Sequence, residues 1–195
     1  MNRARIAILA LSSVFVGSCD NFQEYRVLAV VIHGQLAFVV DPASNDQESC
    51  VNRIHISTHK GERARANPAA GDDVQLVANG VFWWKDLEQD CADHFPVFYG
   101  QPLKGRRMVY TGNVPAVHPG EKTSVVEAKP LQVGVVYSVD TVSGMLRFGH
   151  GWFRIAADQH VENWPNDPVP PVLNGQGYDV SGPYKAPAGP ASNVR

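Results

Sequence analysis

The chain has 195 residues, 44% of them hydrophobic, with 17 basic and 19 acidic side chains and a formal net charge of −2. That length suits one domain with appendages. So small a charge, spread in both signs, argues against nucleic acid as a partner and against electrostatic binding to anionic lipid.

At the start, Arg3 and Arg5 precede an uncharged, apolar and small-residue run from Ile6 to Val16. The run is shorter than the roughly 20 residues a bilayer crossing needs and has the makeup of a secretory h-region. Val16-Gly17-Ser18-Cys19 follows, and it resembles the lipobox of bacterial lipoproteins. The resemblance implies cleavage before Cys19, diacylation of the Cys19 thiol and a mature chain anchored in the cell envelope, facing the periplasm. Asp20 resembles the retention signal that keeps enterobacterial lipoproteins in the inner membrane, and Asn21 is compatible with it. Residues 1–18 then form the signal peptide and 19–23 a lipidated tether. Residues 1–18 hold two basic groups and no acidic one, so the mature chain carries 15 against 19, a net charge of −4. Contact with the bilayer is expected through acylated Cys19 alone, since two or more acyl chains anchor stably without further help.

With Cys19 consumed by lipid, Cys50 and Cys91 remain in an oxidising compartment, where a disulfide between them is expected. Closing that loop of about 42 residues would stabilise by ~4 kcal/mol on the chain-entropy model. The competing reading, a thiol nucleophile or metal site, lacks a Cys-x-x-Cys or Cys/His ligand spacing.

Residues 24–163 read as one β domain. Tyr25 to Ile32 and Gln35 to Val40 are apolar, β-branched runs joined by His33-Gly34, a hairpin signal. From Cys50 to Thr58 the alternation puts Cys50, Ile54 and Ile56 on one face and Arg53, His55 and Ser57 on the other, as in a half-buried strand. His59 to Asp73 reads as loop. Further strands are expected at Val74–Val77, Gly80–Trp84, Pro96–Tyr99, Arg107–Thr111, Thr123–Ala128, Leu131–Thr141, Met145–Phe148 and Trp152–Ala156. A short helix is expected over Lys85–Ala92. Many short strands with frequent turn signals suggest a sandwich or barrel. From Trp164 to Arg195 come seven of the 14 prolines and several glycines, which reads as a disordered tail. Its Pro168-Val169-Pro170-Pro171 offers a motif for a proline-binding partner.

Leu131-Gln132-Val133-Gly134-Val135-Val136-Tyr137-Ser138-Val139 resembles the Leu-x-Pro-Gly-x-x-Tyr-x-Val stretch of fibronectin type III and related immunoglobulin-like domains. Leu131, Gly134 and Tyr137 match, and Val133 stands where the proline is usual. The resemblance implies a single immunoglobulin-like antiparallel β-sandwich. In it Tyr137 opens a strand over Val135–Val142, and its hydroxyl bonds back to the corner backbone. Trp152–Ala156 would be the next strand, with Ser143-Gly144 to Gly151 as the hairpin between them.

Asp90-Cys91-Ala92-Asp93-His94 is the densest polar cluster. Asp90, Asp93 and His94 could hold part of a metal site or a base–orienter pair; the competing reading is a solvated loop beside a disulfide. His55 and His59 sit four apart, but on a strand that separates them by about 13 Å, too far for one metal. His150 lies in Phe148-Gly149-His150-Gly151-Trp152, which reads as a glycine-flanked turn. In Phe82-Trp83-Trp84 a strand would turn Trp83 away from its neighbours, where it could stack on a sugar. There is no Gly-x-Ser-x-Gly elbow, no His-Glu-x-x-His helix and no glycine-rich phosphate loop. No cofactor is implied. The leading expectation is a non-catalytic binding or structural module of the envelope, with an unidentified envelope protein as partner. The alternatives are a metal-assisted hydrolase built on Asp90, Asp93 and His94, and a carbohydrate or cell-wall binder built on Trp83.

Overall fold

The first hairpin forms where two apolar runs meet across two residues able to adopt positive φ. In the computed structural model, which describes residues 23–44, 50–59, 64–87, 93–105, 125–144, 147–164 and 183–185, β1 (Gln23–Ile32) pairs antiparallel with β2 (Gln35–Val40). His33 and Gly34 have φ of 52° and 80°, both left-handed, as a tight two-residue hairpin turn demands. The remaining elements are β3 (Cys50–Val51), β4 (Arg53–Thr58), α1 (Val74–Ala78), β5 (Val81–Asp86), β6 (Asp93–His94), β7 (Val97–Phe98), β8 (Val136–Ser143), β9 (Arg147–Ile155) and β10 (Val161–Asn163).

The chain is all-β. Its main sheet runs β5-β4-β8-β9-β1-β2-β7 with β10 beside β9, and β3 pairs separately with β6. β1 makes this sheet curl by changing partner halfway. Its residues Gln23 to Arg26 pair parallel with β9, and Val27 to Ile32 pair with β2. The two halves of the sheet close on one core, in which Val27, Phe38, Ile54, Ile56, Phe82, Tyr137 and Phe153 meet. Leu28, Val30 and Ile32 point the other way, into a second cluster with Ala37 and Val39. Burial on both faces explains why β1 reads as a nearly continuous apolar run.

The partner change needs two local devices. Gly151 lies where β1 leaves β9, and a Cβ there would fall on the Val27 carbonyl oxygen. Past that point Asn163 pairs with the β1 backbone. Its Oδ1 accepts from the Ala29 N–H at 2.8 Å and its Nδ2 donates to the Ala29 carbonyl at 3.0 Å. One side-chain amide thus supplies the donor and acceptor a strand would have supplied.

The expected bond between the Tyr137 hydroxyl and the backbone just before it is present. The Tyr137 hydroxyl accepts from the Gln132 N–H at 2.8 Å. Its ring stacks on Phe153 at 5.6 Å and meets Phe82 edge-on at 5.0 Å.

Four expectations need correction. Val74–Ala78 is one helical turn, because the Asp73 Oδ1 accepts from the Gln75 and Leu76 N–H groups and caps it. Lys85 and Asp86 finish β5 rather than opening a helix, held by Lys85 to Glu127 and by Asp86 to Arg53 at 2.8 Å; residues 88–92 lie outside the described residues. Gly149, His150 and Gly151 lie inside β9, not in a turn. The expected disordered tail fails at residues 183–185. Tyr184 is only 5% exposed and belongs to the main core. Its N–H bonds to the Gln159 carbonyl, and that of Lys185 to the Gly34 carbonyl. The expected strand at Arg107–Thr111 and the rest of the tail lie outside the described residues.

Candidate functional site

Alternation along β4, β8 and β9 sends Ile54, Ile56, Val139 and Phe153 inward and leaves every second residue on the outer face. Register then does what spacing along the chain cannot. Trp84 lies opposite His55, His55 opposite Asp140, Asp140 opposite His150, and His150 opposite Arg26. Five strands contribute one residue each to a single row.

Asp140 is the centre of the row. Its Oδ1 lies 2.5 Å from the His150 Nδ1, and its Oδ2 lies 3.9 Å from the His55 Nδ1. The Asp140 and His150 side chains are 44% and 43% exposed, and His55 is 24% exposed. Burial lowers the His55 pKa from its usual value; the Asp140 charge opposes this and the Arg53 charge adds to it. His55 is therefore neutral at neutral pH, with the carboxylate favouring its proton on Nδ1. The Trp84 ring lies 4.6 Å from the His55 ring, and Trp152 meets His150 edge-on at 4.1 Å.

These residues line a cavity of about 630 Å³, within the range of small-molecule sites. Phe148, 39% exposed, stands on one side and Trp84 on the other. Gly149 in the lining lets the Tyr25 ring and the Thr141 hydroxyl pack against its backbone, where a Cβ would strike both. Tyr25 is fixed by hydrogen bonds between its hydroxyl and the hydroxyls of Thr141 at 2.8 Å and Ser143 at 2.7 Å. Each arginine of the lining faces an aspartate, Arg26 to Asp41 at 3.7 Å and Arg53 to Asp86 at 2.8 Å. Two polar atoms of the row, His55 Nε2 and Trp84 Nε1, are buried with no hydrogen-bond partner among the described residues. Such an atom costs about 1–3 kcal/mol until something bonds to it.

Of the residues singled out from sequence, His55 and His150 belong to this row, while Trp83, Asp93 and His94 do not. Trp83 is 0% exposed and packs edge-on against Tyr99 at 5.4 Å, so it offers no surface to a sugar. The cause is a bulge: Ile56 pairs with Trp83 but Ser57 pairs with Val81, so Phe82 is the extra residue and both rings enter the core. Asp93 is buried and bound locally, its Oδ1 accepting from the His94 N–H and its Oδ2 from the Lys104 N–H. His94 is exposed, and Asp90 lies outside the described residues. Among the described residues no group of three His, Cys, Asp or Glu side chains is arranged to hold a metal ion. His59 turns to Trp152 at 5.7 Å. Cys50 is buried at the start of β3, whereas Cys19 and Cys91 lie outside the described residues.

Among the described residues no helix is long and apolar enough to cross a membrane. Comparison with protein-family models, with curated proteins and with solved structures finds no match to this chain.

Proposed function

We propose that this chain is a bacterial envelope lipoprotein, anchored through acylated Cys19 and facing the periplasm. Its β domain acts as a non-catalytic binding module, and the outer-face cavity is its ligand site. The observation that carries the binding reading is the row Trp84–His55–Asp140–His150–Arg26. It concentrates aromatic and polar groups at a cavity whose volume suits a small molecule, with two polar atoms left unpaired. Asp20 favours the inner membrane over the outer. An immunoglobulin-like arrangement is proposed on the Tyr137 corner, and the β1 partner change is its main departure. Cys50 is buried, and a disulfide from it to Cys91, with Cys19 carrying the lipid, belongs to the same proposal. No observation favours the hydrolase alternative: Asp93 is held by two backbone N–H groups, and Asp90 lies outside the described residues.

Two experiments test the two halves. Cys19→Ser should move the protein from the membrane fraction to the soluble one and abolish incorporation of labelled fatty acid. Persistent membrane association would refute the anchor. For the binding module, a library of small polar and aromatic fragments added to ¹⁵N-labelled protein should shift amide signals of β4, β8 and β9 around Asp140. Shifts scattered elsewhere, or none at all, would refute the cavity as a ligand site.

A further inference from the structure

The geometry points to a neutral, hydroxyl-bearing ring compound, a saccharide, as the ligand of the outer-face cavity, held by Trp84, His55 and Phe148; this rests on the cavity being the ligand site. Three observations converge on that class.

The first is the pair of open hydrogen-bonding atoms. The indole Nε1–H of Trp84 can only donate. The Asp140 charge, 3.9 Å from the His55 Nδ1, favours the tautomer in which the imidazole Nε2 accepts. The two rings are 4.6 Å apart, and neither atom has a partner among the described residues. A carboxylate or phosphate oxygen could satisfy only the indole, and an ammonium only the imidazole. A hydroxyl both accepts and donates, so a ligand rich in hydroxyls matches an indole donor and an imidazole acceptor alike.

The second is charge. Arg26 and Arg53 are offset within the lining by Glu24 and Asp140, and each arginine also faces an aspartate of its own. With four acids around the two arginines, the cavity has no cationic surplus with which to compensate an anionic ligand on desolvation.

The third is the apolar component. Phe148 is exposed at the rim beside Gly149. A pyranose ring has an apolar C–H face, which an aromatic ring covers, and a rim of hydroxyls, which Asp140 and His150 can bond. The sugar surface sought at Trp83 from sequence is thus supplied by the neighbouring Trp84 and by Phe148.

The test uses the mature chain and four trisaccharides: cellotriose and tri-N-acetylchitotriose, both neutral, with trigalacturonate as the anionic and the chitosan trimer as the cationic control. The Trp84 indole N–H signal should shift saturably with at least one neutral probe below about 10 mM, a weak but measurable affinity. Trp84→Phe keeps an aromatic ring but removes the indole donor together with the five-membered ring, and Phe148→Ala alters an exposed side chain. Each should weaken binding roughly tenfold, with the melting temperature unchanged by Phe148→Ala. No shift with either neutral probe would overturn the saccharide assignment, as would tighter binding of a charged trimer. Continued fragment binding around Asp140 in that case would leave the ligand site standing and reject only the ligand class.

Discussion

Gly151→Ala should destabilise the domain by about 3 kcal/mol, at the upper end of what overpacking usually costs. The added methyl meets the Val27 carbonyl oxygen, with the Val27 carbonyl carbon at 3.1 Å and a Val139 methyl at 3.3 Å. The first obstacle is backbone, so no side-chain rotation relieves it. β1 would have to lift from β9 at the point where it changes partner, disturbing both halves of the sheet. Urea denaturation measures the effect directly. A silent Gly151→Ala would mean that β1 does not pass over Gly151, and the curl of the sheet would need another origin.

Tyr137 should show an effect at least as large, with a contrast between two substitutions. Tyr137→Phe keeps the ring contacts with Phe153 and Phe82 and loses the bond from the Gln132 N–H, which should cost about 1 kcal/mol. Tyr137→Ala also empties the space of a fully buried ring, and should cost about 3–5 kcal/mol. Equal losses for both would place the energy in the hydroxyl and contradict the packing account; two silent variants would dismiss the corner altogether.

These residues also mark how far the sequence is legible. The His33-Gly34 hairpin, the alternation from Cys50 to Thr58 and the Tyr137 corner rest on neighbours a few positions apart, and local rules reach them. Gly149 and Gly151 mislead for a physical reason. Glycine usually signals a turn, but here it admits the Tyr25 ring and the Val27 carbonyl, which arrive from more than 100 positions away. Phe82-Trp83-Trp84 misleads because one bulge residue turns two rings into the core and leaves Trp84 on the rim. The polar row was out of reach in the same way. His55, Asp140 and His150 are each an outward-facing polar residue on an alternating strand, and only pairing between distant strands brings them together. Each alone gave a hint, the outward face of β4 for His55 and the strand after the corner for Asp140, but not their register. Tyr184 was hidden by its surroundings. A run rich in proline and glycine argues against structure on average, and a single aromatic residue within it docks all the same.

The start of β1 has a consequence for reach. Gln23 is already paired with Arg147, and only the three residues Asp20 to Phe22 separate it from Cys19. Even fully extended, that stretch spans only about 14 Å. Glu24 and Arg26, at the beginning of the same strand, line the cavity. Under the lipidation proposed above, the leash is shorter than the domain it holds. The domain then rides on the headgroups instead of projecting into the periplasm, and its cavity works within a few nanometres of the lipid surface.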